Sequence, residues 1–257
     1  MAKRSFRRAI ITGAASGIGR AFARALAAEG SALGLIDVAA DPLRGVAEEL
    51  GGVGAHVWAR VVDVSQREVV DAEIPALAAE IGGVDLVVHC AAALFPGRFL
   101  EQPAADFDRA IAIDLLGTAN VVRASAPQAI ESRGAIVCLA STAAIHGWPM
   151  MSAYSAAKFG VAGFCDAVRS ELRASGVLLT TVFPLLIATP LLTGADVAPI
   201  LAAGKAIAPE TVVRKTLRAV ARKKTRVYIP SRVRWIAAAH ALAPAALDWY
   251  GRRFGLR

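Results

Sequence analysis

The sequence predicts an α/β protein built on one doubly wound parallel sheet. Strand-like runs alternate with helical stretches along the chain, the pattern of repeated strand–helix–strand units. Runs such as Asp85-Leu-Val-Val-His-Cys90 are apolar enough for a strand covered on both faces. No internal repeat or linker interrupts the alternation, and 257 residues suit a single large domain spanning 1–257.

The elements follow in order. Arg8–Thr12 is a first strand, followed by Gly13-Ala-Ala-Ser-Gly17-Ile-Gly19 and an alanine-rich helix from about Ile18 to Glu29, closed by Gly30. Ala32–Asp37 is a second strand. Asp41-Pro42 opens a helix as N-cap and first-turn proline, ending near Leu50. His56–Val62 is a third strand ending at Asp63. Ser65, with Glu68 as capping box, starts a helix to about Ile81. Asp85–Cys90 is the fourth strand, and Asp106 begins a long helix toward Ile130. Ala135–Ser141 is the fifth strand, a long helix runs from Tyr154 to Ser175, and Val177–Phe183 is the sixth strand, ended by Pro184. Leu185–Ala208 shows little regular pattern. Pro209–Lys223 is helical and Thr225–Ile229 is a last short strand. The arm 230–257 holds two helical pieces separated by Pro244.

With 56% hydrophobic and 19% charged residues, the chain buries a sizeable core. No apolar run reaches the ~18–20 residues of a membrane span, and the basic N-terminus lacks the features of a signal peptide, so a cytoplasmic location is expected. Cys90, Cys138 and Cys165 lie in apolar surroundings with no CxxC pair and read as reduced core residues. No metal site is expected. The net charge of +8 is concentrated at one end: Lys205 to Arg257 holds thirteen Lys/Arg against Glu210 and Asp248. The rest of the chain is slightly acidic.

Three features point to chemistry. The glycines at 13, 17 and 19, between a strand and a helix start, let the backbone approach a pyrophosphate that the helix N-terminus favours. Asp37, at the end of the second strand, suits the two ribose hydroxyls of an adenosine and repels a 2′-phosphate. No cation follows it closely and Ser16 precedes Gly17, which favours NAD over NADP. Tyr154 and Lys158 are four apart on a helix and share a face. An ammonium beside a phenol favours the phenolate, so the pair can act in proton transfer.

Thr12-Gly-Ala-Ala-Ser-Gly-Ile-Gly19, Asp63-Val64, Ser141 and Tyr154-x-x-x-Lys158 together resemble the short-chain dehydrogenase/reductase family. Ser141 stands thirteen residues before Tyr154, the family's spacing, and the similarity runs from about Arg7 to Ile229. The resemblance implies a Rossmann-like domain with a seven-stranded parallel sheet, extended by the C-terminal helical arm, and a homodimer or homotetramer. It implies that Tyr154 is the general acid/base and that Lys158 binds the nicotinamide ribose and lowers the Tyr154 pKa. Ser141 would bind the substrate oxygen. Asp63, with Val64 beside it, would meet the adenine, while Gly13, Ser16, Ile18 and Asp37 would hold the phosphates and adenosine ribose. Ile187 and Thr189, after Pro184, match positions that contact the carboxamide.

Three positions depart from the family pattern. The fourth strand ends in His89-Cys90-Ala91-Ala92 instead of an Asn-Asn-Ala-Gly-like run, with small residues such as Ala91 kept where the cofactor ribose passes. His89 is read as a hydrogen-bonded structural histidine. Asp114 replaces an asparagine whose backbone carbonyl holds a water linked to the lysine. Its carboxylate can tie up the ammonium and alter the Tyr154 pKa, which places Asp114 in the catalytic set. Leu185 replaces a glycine that faces the nicotinamide, where it can crowd the cofactor or reshape the substrate mouth.

Ala143, His146, Trp148 and Met150–Met151, with the stretch 186–204, are expected to line the substrate pocket. Their apolar character points to a hydrophobic alcohol or ketone. His146 reads equally as a substrate contact or a solvated turn residue. The expected activity is NAD-linked hydride transfer with a lipophilic secondary alcohol or ketone. The rivals are a ketoreductase working toward reduction and a cofactor-binding scaffold with weak catalysis. The basic arm, with Trp235, Trp249, Tyr250 and Phe254, reads as a docked arm or a peripheral membrane contact. No nucleic-acid recognition element accompanies its charge.

Overall fold

A computed structural model of the chain describes residues 6–192 and 206–242. Seven parallel strands form one sheet in the order β3-β2-β1-β4-β5-β6-β7. They are β1 Arg8–Thr12, β2 Ala32–Asp37, β3 Val57–Val61, β4 Leu86–His89, β5 Ala135–Leu139, β6 Leu178–Pro184 and β7 Arg226–Ile229. The helices are α1 Gly17–Ala27, α2 Ala40–Gly52, α3 Arg67–Glu80, α4 Ala104–Ala110, α5 Gly117–Ser132, α6 Ser152–Ala174, α7 Pro209–Ala221 and α8 Val233–Leu242.

Alternation along each strand sends side chains to opposite faces, and both faces are apolar. One core cluster joins Ile11, Leu35 and Val88 of the sheet to Phe22 and Leu26 of α1, Leu43 of α2 and Val212 of α7. The other joins Ile10, Val87 and Ile136 to Ile74 of α3, Val121 of α5 and Val161 of α6. Within β7, Val227 and Ile229 face the first cluster and Tyr228 packs against the second. Complete burial of a side chain such as Phe22 contributes about 1.5–3 kcal/mol, so the two layers hold the sheet from both sides.

The strand order reverses where β1 lies between β2 and β4. Chain segments leaving the C-terminal ends of β1 and β4 diverge there and open a crevice, the usual ligand position in such sheets.

Local chemistry departs from the sequence expectations at several helix starts. Ser65 does not cap α3: its hydroxyl donates to Asp63 Oδ1 at 2.7 Å, and the helix begins at Arg67 after Gln66. The nearby carboxylate outcompetes the backbone amides for that hydroxyl, so the expected capping box with Glu68 does not form. Asp41 is likewise inside α2, not its cap. There it pairs with Arg44 at 2.5 Å, and Ala39 precedes the helix. The long helix expected from Asp106 begins at Ala104 and contains a π-helical turn over Ile111–Leu116. The connection after β6 contains a short 3₁₀ turn at Pro190–Leu192 and a parallel bridge between Ile187 and Ile207. In the arm, α8 matches the first expected helical piece. The second, with Trp249, Tyr250 and Phe254, lies outside the described residues.

Candidate active site

At the crevice, Gly13 has φ +66°, and a Cβ there would lie 2.7 Å from the backbone N of Ala91. A Cβ on Gly19 would lie 2.0 Å from the carbonyl oxygen of Gly13. The glycines therefore let β1, α1 and the end of β4 approach one another as backbones. Ser16 precedes α1 without a side-chain cap, so the helix N-terminus opens into the crevice with its first amides available to an anion.

The crevice has a volume of about 570 Å³. Gly13, Ser16, Gly17, Ile18 and Gly19 line it from the loop, Asp37, Asp63 and Val64 from the ends of β2 and β3, and Ala91 and Thr189 from the other side. Asp37 Oδ2 accepts the Ala15 amide at 2.9 Å and Oδ1 the Ala39 amide at 3.0 Å. Asp37 thus acts as a strand-end turn cap and also lines the crevice; each oxygen retains a further lone pair. Asp63 Oδ1 takes both the amide and the hydroxyl of Ser65. Asn120 of α5 donates to Val64 O at 3.0 Å, which ties this wall to the helix layer. A glycine cradle at an uncapped helix start, flanked by two carboxylates at strand ends, fits a dinucleotide.

Sequence reasoning missed several lining residues: Phe95, Arg109, Ala112 and Ile113, and the half-buried Cys90, which was expected in the core. Arg109 lies 4.7 Å from the Phe95 ring centroid. The one signal in the sequence for these residues is that the loop following β4 continues along the crevice beyond Ala92.

The Tyr154–Lys158 pair, expected to transfer a proton, lies on α6. Tyr154 is 8% and Lys158 2% exposed, and the ammonium is 5.4 Å from the phenol ring centroid. Ser141 leaves the end of β5 extended, and its hydroxyl accepts the Ala143 amide at 3.1 Å at the start of a one-turn 3₁₀ helix. Ser141 also lies close enough to the Tyr154 phenol to draw its pKa down. The turn-capping role and the expected place beside the phenol therefore coexist. Lys158 Nζ donates to Leu139 O at 3.3 Å.

Asp114 lies in the π-helical turn and is 0% exposed. Its Oδ1 accepts the Ala93 amide at 2.8 Å and sits 3.9 Å from Lys158 Nζ. Oδ2 has no hydrogen-bond partner among the described residues. Its backbone carbonyl accepts the Thr118 hydroxyl at 2.5 Å. The side chain, not only the backbone, therefore enters the site. At this separation two unit charges attract by about 4 kcal/mol at an effective dielectric near 20. Desolvation costs several kcal/mol per ion, and the balance appears in the titrations. Burial pushes the Asp114 carboxyl up to about 6, with Lys158 and the Ala93 amide restraining the rise. Burial also raises the Tyr154 phenol. Lys158 pulls it down, Asp114 pushes it up and the Ser141 side chain pulls it down, leaving it above its ordinary value. Burial opposes the Lys158 ammonium, but Asp114 and Tyr154 lead the charges that outweigh it, so that pKa rises.

His89 is structural, as expected: Nδ1 lies 2.7 Å from Thr12 Oγ1, and burial, aided by Lys158, pushes its pKa to about 3, so the ring is neutral. Leu185 packs against the core cluster on the α6 side, and its amide donates to Ile229 O at 2.8 Å. The Ile187 side chain is buried in the opposite cluster, and neither Ile187 nor Pro184 lines the crevice. On the substrate side, Ala143, Met151 and Tyr154 form a small apolar cluster joined by Trp148 and by Leu94, which sequence reasoning missed. His146 meets the Trp148 ring edge-on at 5.4 Å, so it is half-buried against an aromatic instead of solvated.

Comparison with known proteins places this geometry. The short chain dehydrogenase family profile matches residues 7–197. The chain is a short-chain dehydrogenase/reductase. It is 39% identical over 176 residues to the probable oxidoreductase EphD of Mycobacterium tuberculosis, covering 68% of this chain but 30% of that protein. The chain thus spans less than a third of that relative. It is 38% identical over 187 residues to D-threitol dehydrogenase of Mycolicibacterium smegmatis, covering 71% of each. Among solved structures, a short-chain dehydrogenase/reductase from Burkholderia phymatum in complex with NAD superposes with a TM-score of 0.83 at 26% identity. The match covers 94% of this chain and 95% of that one. The chain thus belongs to a family of oxidoreductases and shares its Rossmann-like sheet. Among the described residues, no helix is long and apolar enough to cross a membrane.

Proposed function

We propose that this dehydrogenase/reductase interconverts a lipophilic secondary alcohol and its ketone with NAD as the hydride carrier. The observation that carries the reading is the convergence of Tyr154, Ser141 and Lys158 at an apolar cluster formed by Ala143, Met151, Trp148 and Leu94. When bound, NAD supplies or accepts the hydride. Tyr154 passes a proton to or from the substrate oxygen, and Ser141 holds that oxygen while negative charge develops on it. Lys158 keeps a donor toward the cofactor ribose and presents positive charge to the phenol. The buried apolar wall excludes water from the transfer.

Preference for NAD is supported by Asp37 and by the lack of a cation beside it: the next one along the chain, Arg44, is paired with Asp41. A homo-oligomer is supported by Leu116, Ile130 and Phe159, large apolar residues left exposed on the helices of one layer. Three unpaired thiols suit a reducing cytoplasm.

The test is NADH formation across a panel of hydrophobic secondary alcohols, with NADP as the competing cofactor. Activity with NAD that disappears in Tyr154→Phe supports the reading. Tight NAD binding without turnover in either direction across the panel overturns it in favour of a scaffold. A second reading, physiological work toward reduction, is favoured by the raised Tyr154 pKa, because a protonated phenol is the form that donates to a carbonyl oxygen.

A further inference from the structure

We propose that Asp114 is a positioning residue: its buried carboxylate engages Lys158 and thereby adds to the burial that keeps Tyr154 in the protonated, proton-donating form. The inference rests on Tyr154 as the acid/base. It adds a third ionisable group to that centre and predicts which half-reaction the site is poised for at neutral pH.

The geometry makes the carboxylate hard to ignore. It is fully buried, 3.9 Å from Nζ, and fixed by the Ala93 amide on Oδ1. It sits on a π-helical turn, a local distortion that re-aims side chains and often marks functional sites. Oδ2 has no hydrogen-bond partner among the described residues, so these do not sequester the side chain in a purely structural network. The charged and titratable groups around the centre can be named. From α6 come Lys158 and Tyr154, from the end of β4 His89 and Cys90, and from β5 Cys138. His89 is neutral, and both thiols are pushed upward, so they carry no charge near neutral pH. Among the described residues the electrostatics therefore reduce to one cation, one carboxylate and one phenol.

With Asp114 ionised, its charge offsets part of the stabilisation that Lys158 gives the phenolate. With the carboxyl protonated or replaced by an amide, the ammonium faces the phenol alone and favours phenolate. Alcohol oxidation needs the phenolate as base; carbonyl reduction needs the phenol as acid. The carboxylate thus biases the resting protonation state toward reduction without changing the overall equilibrium of the reaction.

The test reads Tyr154 directly and needs no substrate. Tyrosinate ultraviolet absorbance is followed against pH in the full chain. Subtraction of Tyr154→Phe isolates Tyr154 from the other two tyrosines, and the experiment is repeated in the Asp114→Asn background. Asparagine is isosteric and its carbonyl still accepts the Ala93 amide. The expected result is ionisation of Tyr154 at a pH lower by roughly one unit in Asp114→Asn, the size of effect a neighbouring charge produces. With any alcohol the enzyme oxidises, the rising limb of the kcat/KM profile moves the same way.

Ionisation of Tyr154 in Asp114→Asn no earlier than in the parent protein overturns the proposal. Should the amide not fold, Asp114→Ser, neutral and smaller, reads the same shift. If Tyr154→Phe turns over as well as the parent, the acid/base reading itself fails. That outcome is separate, because the titration does not depend on turnover.

Discussion

The two sides of the crevice meet their polar needs in opposite ways. On the glycine-loop side, buried or half-buried carboxylates are held by backbone amides: Asp37 by Ala15 and Ala39, Asp63 by Ser65. The helix start is left open, and close backbone approach at Gly13 and Gly19 does the shaping. On the α6 side, charges are buried against one another. Lys158 has one carbonyl and a carboxylate at 3.9 Å, and Asp114 keeps an unpartnered oxygen. The first arrangement provides a rigid anion cradle that needs no proton bookkeeping. The second stores an electrostatic tension that only proton movement relieves, which is useful where a proton must move.

Four measurements sharpen or break this contrast. Tyr154→Phe is expected to lower turnover by about 10²–10⁴-fold, the usual worth of a positioned acid/base, with NAD affinity changed little. Undiminished turnover would remove the α6 side from the chemistry. Gly19→Ala forces a Cβ to 2.0 Å from a backbone oxygen. Because backbone yields less readily than a side-chain tip, a loss of about 1–3 kcal/mol in urea unfolding is expected, with weakened NAD binding by calorimetry. A wild-type urea midpoint would show that the cradle does not depend on that close approach.

Asp37→Ala removes an acceptor from two backbone amides and from the adenosine ribose proposed to bind there. A loss of about tenfold in NAD affinity is expected, in line with ~1.5 kcal/mol for hydrogen bonds to a charged group, together with relatively better binding of NADP. Equal affinity for the two cofactors in the parent protein would argue against the role given to Asp37.

The smallest effect concerns pH. The Asp114 carboxyl is raised to about 6 by burial, so the native state binds the proton more tightly than the unfolded chain. The contribution of this group to stability is therefore greatest below the ordinary carboxylate range and declines as pH rises from about 4 to about 6, with no further loss above that. Asp114→Asn should flatten this segment of the urea-midpoint profile. An identical slope in both proteins would mean that the carboxyl is not desolvated as the geometry implies.

Much of this was legible in the chain. All seven strands lie within the expected stretches, apart from an end residue at β6, because continuous apolar runs between helical segments leave few other packings. The Tyr154–Lys158 pair was legible because helix periodicity alone puts residues four apart on one face. The capping residues were read less well. Ser65 turned to Asp63 instead of the α3 amides, and Asp41 to Arg44, because a cap is a local competition between acceptors that spacing does not settle. Phe95, Arg109 and Leu94 were missed because they reach the site from a loop and a helix with no periodic signal tying them to it.

Short-range periodicity and spacing sufficed for the parallel sheet, the glycine cradle and the shared helix face of Tyr154 and Lys158. The surroundings of the Asp114 side chain came only with the folded chain. A carboxylate in place of an asparagine is compatible with a solvated, a backbone-only or an ion-paired role. The choice depends on the dielectric and partners that the π-helical turn, the end of β4 and α6 create when they close around it. Burial removes water as the alternative partner and leaves Lys158, at 3.9 Å, as the cation that the carboxylate meets among the described residues, and the role proposed for Asp114 follows from that pairing.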